Sequence, residues 1–196
     1  MKFTPGQDRK EDLFSISGIE AIYNRYASRF LGLCYRYCGN REDSEDIMHD
    51  GFLNIIRNVH QFESRGEGSL EAWMKRIMVT TSLKYLRNSK KYKNYLVFDP
   101  LSENLNIQED EEDDQSSLEV SQEQLMKLIT ELPLGYRTVF NFYVFENYSH
   151  KEIAELLNCS ENTSKTQLMR ARAWLKKSIK NREKEKNYGH QETSCR

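Results

Sequence analysis

Between Ser149 and Leu175 the sequence reads SHKEIAELLNCSENTSKTQLMRARAWL, and Lys165, Thr166, Met169, Arg170 and Arg172 recur in it at spacings that share one side of a helix. An arginine fork can pair with two acceptors of a guanine edge, while lysine and threonine suit phosphates or single acceptors. Leu168, Ala171 and Leu175 form an apolar stripe on the other side. Just upstream, Ile153, Leu156 and Leu157 form a second stripe, with Ala154 small where a partner helix must approach. Asn158 tolerates the left-handed backbone that ends a helix, and Ser160 can cap the next one. Two helices across a short turn, one face fixed and one open, are what a helix-turn-helix needs to enter a major groove. The same pattern also suits an ordinary helical hairpin with a solvated basic face. Lys176, Lys177, Lys180 and Arg182 would add nonspecific attraction to phosphates.

The elements that must hold this face are helical throughout. Nine glycines and three prolines punctuate 196 residues, and strand-like alternation is scarce. Ile19, Ile22, Tyr23, Tyr26, Phe30 and Leu33 predict a first helix with a buried stripe, broken at CGNREDSED. Ile47, Phe52, Ile55, Ile56 and Val59 predict a second. FESRGEGS reads as a loop, and a third helix over about Leu70–Asn88 carries Trp73, Ile77, Leu83 and Leu86 inward. After a break, Leu125, Leu128, Ile129 and Leu132 make one stripe ended by Pro133. Tyr136, Val139, Phe140, Tyr143 and Val144 make the next.

Charge divides the chain. Every charged residue between Lys75 and Phe98 is basic, and every one from Asp99 to Met126 is acidic, including EDEEDD at 109–114. A run of that kind repels itself and stays extended. The expected organisation is an N-terminal extension over 1–16, a helical domain over 17–93, an acidic flexible linker over 94–117, a second helical domain over 118–180 and a flexible tail over 181–196. The fold class is therefore all-α, two small domains on a tether. The net charge of −1, from 29 basic and 30 acidic residues, argues against a polyanion binder that uses its whole surface but not against local binding.

Other chemistry finds little footing. Cys34, Cys38, Cys159 and Cys195 do not form a secreted disulfide pattern. Cys34 and Cys38 lie one helical turn apart, yet a zinc site needs further ligands that no CxxC or nearby histidine supplies. His60 and His150 belong to no catalytic pair, and there is no phosphate-binding glycine loop or HExxH motif. No cofactor or enzyme activity is expected. The N-terminus lacks an apolar signal core, and no apolar run is long enough to cross a membrane, so a cytoplasmic location is expected.

With these motifs on the page, the chain resembles the extracytoplasmic-function (ECF) sigma factors of the sigma-70 family. YNRYASRFLGLCYRYCGNREDSEDIMHDGFLNIIRN and FESRGEGSLEAWMKRIMVTTSLKYLR resemble sigma region 2. LITELPLGYRTVFNFYVFENYSHKEIAELLNCSENTSKTQLMRARAWL resembles region 4. The resemblance implies core RNA polymerase, through its beta and beta-prime subunits, and promoter DNA as partners. It also leaves room for an anti-sigma factor or a recruiting DNA-targeting complex. It implies that Asp46, His49, Asp50 and Phe52 dock on the polymerase. It assigns −10 element capture and melting to Phe62, Ser64, Arg65, Trp73, Lys75, Arg76, Thr80, Lys84 and Arg87. The −35 element falls to Asn162, Thr163, Lys165, Thr166, Met169, Arg170 and Arg172. Trp73, on its inward stripe, suits a core anchor better than a base-stacking platform.

Departures from the family pattern fall on the promoter-reading side. The loop between Phe62 and Trp73 is longer, Thr80 stands where asparagine is common, Ser164 where valine is usual and Gln167 where arginine is usual. These predict weak unaided promoter reading and a partner that brings the chain to DNA. Two other classes keep the same helices: a stand-alone helix-turn-helix regulator with an unrelated first domain, and an adaptor that has lost DNA contact.

Overall fold

The computed structural model describes residues 15–88 and 121–192, with side chains through Arg182. The linker and both chain ends lie outside the described residues. The chain divides into two compact units, Met1–Lys93 and Asn94–Arg196. Among the described residues every regular element is helical.

In the first unit, α1 (Ile16–Cys38) starts at Ser15, whose hydroxyl accepts from the Gly18 N–H at 3.2 Å. It stops at Gly39, where φ is 85° and a side chain would be strained. Asn40 then caps α2 (Arg41–Arg57) by accepting from the Asp43 N–H at 2.8 Å. Glu42 and Asp43 in its first turn, and Arg57 in its last, complement the helix dipole. A 3₁₀ turn (Val59–Gln61) and a loop with Gly66 and Gly68 at positive φ lead into α3 (Ser69–Asn88).

The three helices bury a common core of Ile22, Phe30, Leu33, Ile47, Phe52, Ile55, Met74, Met78 and Leu83. Each such side chain stabilises the fold by about 1.5–3 kcal/mol relative to exposure. Phe30 and Phe52 meet across α1 and α2 with ring centroids 5.9 Å apart. The α2–α3 contact is closest at Gly51, where an added Cβ would lie 2.2 Å from Met78 Sδ. α2 and α3 run antiparallel: the Tyr85 hydroxyl donates to Asp43, and Asn54 Nδ2 donates to Thr81 Oγ1 at 3.2 Å. The acceptor carboxylate stabilises the protonated phenol, pushing Tyr85 up to about 12.

Several inward expectations in this unit are corrected, and Ile19, Val59 and Ile77 are only half-buried. Tyr23 is 36% exposed and Ile56 37%, while Trp73 is half-buried. The deep positions of α3 are Met74 and Met78, one residue on from Trp73 and Ile77. The first half of the helix is turned by one residue from the expected stripe, with Met78 packed on Gly51, while Leu83 and Leu86 are buried as expected. Cys34 is fully buried against Ser82, and burial pushes its thiol up to about 12.

The second unit begins with α4 (Gln122–Glu131), entered through a reciprocal capping box between Ser121 and Gln124. α5 (Leu134–Phe140) follows Pro133 and runs directly into a π-helical turn, Asn141–Phe145, closed by the Glu146 N–H on the Asn141 carbonyl at 3.1 Å. The extra residue in that turn resets the register. Asn141 and Phe142 become fully buried, whereas Tyr143 and Val144, expected inside, are 36% and 40% exposed. Leu125 is likewise outside its expected stripe, at 37% exposed in the first turn of α4.

α6 (His150–Leu157) and α7 (Glu161–Glu192) complete the unit. Of the tail expected to be flexible, residues 181–192 are continuous with α7, whose helix runs to Glu192, and the rest lies outside the described residues. Arg182 grips the Glu131 carboxylate at the end of α4 with two bonds of 2.8 and 2.6 Å.

Candidate nucleic-acid and polymerase interfaces

The turn between α6 and α7 has the geometry its sequence requires. Ser149 and Glu152 form a capping box at the start of α6, with the Ser149 N–H donating to the Glu152 carboxylate at 2.8 Å. Those hydrogen bonds hold Glu152 below the usual carboxylate range. Asn158 ends α6 in the left-handed region at φ 53°, ψ 50°, and the Cys159 N–H returns to the Ala154 carbonyl at 3.0 Å. Ser160 Oγ accepts from the Thr163 N–H at 3.0 Å and shares a bond with Thr163 Oγ1 at 2.8 Å.

On α7, Leu168, Ala171 and Leu175 are buried, as their stripe predicts. Asn162, Lys165, Met169 and Arg172 are exposed on the opposite side, with Thr163, Thr166 and Arg170 half-buried beside them. Arg172 also lies over the Tyr143 ring at 5.9 Å, and that ring stacks on His150 at 4.6 Å. His150 Nδ1 and Ser164 Oγ share a 2.9 Å hydrogen bond that ties the start of α6 to α7. Burial first, then the charge of Lys165, hold His150 below the usual histidine range.

Ser164 is fully buried, and Gln167 is turned toward Gly135, where an added Cβ would stand 2.9 Å from its Oε1. Two of the departures that predicted weak promoter reading therefore face the unit's interior. They carry no argument about the groove.

In the first unit, α2 exposes Asp46, His49 and Asp50 on one face, as expected for a docking surface. Phe52 does not join them: it is 6% exposed, with the Tyr23 ring tilted against it at 4.9 Å. Its role is to support the core beneath Tyr23, whose hydroxyl lies 3.5 Å from His49 Nε2. The apolar group presented beside the carboxylates is Leu53, 48% exposed and one turn beyond His49. The signal was available: positions 46, 49, 50 and 53 share a helical face, whereas 52 does not.

α3 exposes Arg76, Thr80, Lys84 and Arg87, with Lys75 half-buried alongside. Ser64 and Arg65 are exposed in the preceding loop, where Arg65 pairs with Glu63 at 3.5 Å. Phe62 is 3% exposed and cannot reach a strand; its ring instead backs Trp73 at 5.3 Å. Trp73 forms one wall of a cavity of about 320 Å³ whose polar lining includes Asn58, Gln61, Thr80 and Lys84. The amides Asn54, Asn58 and Gln61 were missed because Asn54 lies on the helix assigned to docking, while Asn58 ends that helix and Gln61 sits in the 3₁₀ turn after it. The Thr80 hydroxyl donates back to its own helix, at 2.5 Å from the Arg76 carbonyl.

Among the described residues the regular elements are all helical, and the second unit carries a helix-turn-helix, the arrangement of a DNA-binding protein. The family model for sigma-70 region 2 matches residues 22–92, and that for sigma-70 region 4 matches residues 122–175. The chain is 30% identical to the ECF RNA polymerase sigma factor SigW of Bacillus subtilis over 167 residues, 81% of this chain and 87% of that one. It is 29% identical to the RNA polymerase sigma factor YlaC of the same organism, covering 86% of this chain and 96% of the relative. To the ECF RNA polymerase sigma-E factor of Haemophilus influenzae it is 26% identical, covering 81% and 85%. The chain belongs to the sigma-70 family, in its ECF group. Among the described residues, no helix is long and apolar enough to cross a membrane, and no three His, Cys, Asp or Glu side chains come together to hold a metal.

Proposed function

We propose that this chain directs core RNA polymerase to promoters and assists duplex opening there. The observation that carries the proposal is the first unit, where an acidic face with exposed Leu53 on α2 adjoins the basic face and cavity of α3. A stand-alone regulator would need only the second unit. Carboxylates around an apolar anchor suit a basic helical surface of the polymerase. The cavity beside Trp73 suits an unstacked base, whose extraction costs a few kcal/mol that stacking and hydrogen bonds must offset. Arg76, Lys84 and Arg87 would hold the strand's phosphates. Lys165, Thr166, Met169 and Arg170 would read the −35 element, with Asn162, Thr163 and Arg172 on its backbone.

An anti-sigma factor or a recruiting complex would act on these same surfaces. Thr80 is the departure in the recognition helices that stays on the DNA side. With its hydroxyl proton engaged in its own helix, it offers no amide-like donor–acceptor pair. Transcription reconstituted from core polymerase and this chain, with start sites mapped, tests the proposal. Defined starts that require the chain support it; no initiation on any melted or duplex template rejects it. Footprinting of the holoenzyme separates the two modes, since tight protection of both elements would remove any need for a recruiter.

A further inference from the structure

The π-helical turn at Asn141–Phe145 sends Asn141 and Phe142 into the core and brings Tyr143 out to the surface, 36% exposed, beside the open side of α7. There its ring stacks on the His150 imidazole at 4.6 Å, with the planes 24° apart, and Arg172 Cζ lies 5.9 Å from its centroid. Both distances are within reach of ring stacking and of a cation–π contact. His150 is in turn fixed to α7 by its 2.9 Å hydrogen bond with the fully buried Ser164. Burial and the charge of Lys165 hold His150 below the usual histidine range, so at neutral pH it supports the ring without placing a second cation on it. Lys165, Met169 and Arg172 share one face of α7, and Arg172 stands two turns, about 10 Å, beyond Lys165. A major groove is about 12 Å wide, so an α7 laid with Lys165 inside it brings Arg172 to the groove wall, where the phosphates lie.

We propose that Tyr143 is a positioning residue for −35 binding: its ring, propped by His150, holds the Arg172 guanidinium ready for a backbone phosphate at the groove edge. The inference rests on the −35 reading by α7 described under the proposed function, and it adds a residue that itself touches no nucleotide. An arginine free in solvent loses much of its rotamer freedom when it grips a phosphate, and one already held loses less. The negative face of the phenol ring restrains the guanidinium without neutralising it, whereas a carboxylate in that place would cancel the charge the phosphate needs. A planar guanidinium can lie over the ring and still turn N–H groups outward. At regular α-helical spacing Tyr143 falls on the inward stripe of Tyr136, Val139 and Phe140, so the residue inserted as a π turn is what frees the ring for this contact.

The test uses holoenzyme reconstituted from the full chain and core polymerase, titrated at several salt concentrations with duplex from the upstream part of a promoter whose start site has been mapped. Arg172→Ala is expected to weaken binding roughly tenfold, the loss of a charge-assisted contact. It should also lower the salt-dependence slope by about 0.9, the value for one phosphate of a duplex. Tyr143→Leu, which keeps an apolar group but no ring face, should weaken binding roughly two- to fivefold, and Tyr143→Phe should bind like the unaltered chain. In the Arg172→Ala background Tyr143→Leu should cause no further loss, a result that a merely structural role of the ring would not give. The positioning role is overturned if Tyr143→Leu or Arg172→Ala binds like the unaltered chain. It is equally overturned if the Tyr143→Leu loss is undiminished in the Arg172→Ala background, or if Tyr143→Phe loses as much as Tyr143→Leu. Arg170→Ala is measured in parallel: if neither it nor Arg172→Ala changes binding, the −35 reading by α7 itself fails. If Arg170→Ala weakens binding while Tyr143→Leu does not, only the positioning role fails.

Discussion

Phe52 and Leu53 are adjacent in sequence and opposite in exposure, one buried and one on the surface. Phe52→Ala should empty a core position and cost about 3–5 kcal/mol of stability, read by denaturant unfolding. Leu53→Asp should leave stability nearly unchanged but lower affinity for core polymerase by at least roughly tenfold, as loss of an interface anchor does. The reverse pattern in pulldown and melting would remove Leu53 from the docking face. On the other unit, Arg170→Ala should cost about 1–3 kcal/mol of −35 duplex binding, and a gel-shift titration of the holoenzyme would show it. His150 supplies a pH test. Its folded value lies below the ordinary one, so the unfolded chain takes up the proton first. Stability is therefore complete above the unfolded value of 6.5 and falls as the pH drops below it. Thermal melts between pH 7.5 and 5.5 should show this fall, and His150→Asn should flatten it.

Among the elements, the α2–α3 pair depends on the absence of a side chain at Gly51. Alanine there gains up to about 1 kcal/mol of helix propensity but forces the buried Met78 sulfur aside, at a cost of roughly 1–3 kcal/mol. A net loss of stability is expected for Gly51→Ala and a larger one for Gly51→Val, with partial recovery when Met78→Val shortens the opposing chain. Equilibrium unfolding of the single and double variants would measure it. Element existence was legible from periodicity and, at Ser160, from a cap; the caps at Ser15, Asn40, Ser121 and Ser149 emerged only with the structure. Helix rotation was not. Trp73 yielded the core to Met74 because close packing at a glycine is a tertiary fact that hydropathy does not encode. Tyr143 and Val144 moved outward because one residue inserted as a π turn is silent in an apolar run. The helix-turn-helix face on α7 was legible almost completely, whereas Ser164 and Gln167 were misplaced onto it because family comparison carries no direction for a side chain.

For the whole molecule, the two units keep separate cores, and perturbations in one should not be felt in the other. Gly51→Val and Ser149→Ala, the second costing about 1 kcal/mol through its lost cap, should add within about 0.5 kcal/mol in the double variant. A larger coupling, measured by calorimetry, would mean that the units share structure. The feature with the widest reach is the unbroken length of α7. Thirty-two residues make a rod of about 48 Å, tied to Glu131 by Arg182 about two-thirds of the way along. The residues proposed to enter the groove and the distal end at Glu192 are thus parts of one continuous helix. A fluorophore fixed at that distal end would act as a goniometer for the bound duplex, and a protein that took hold of it could steer the reading head without touching a base.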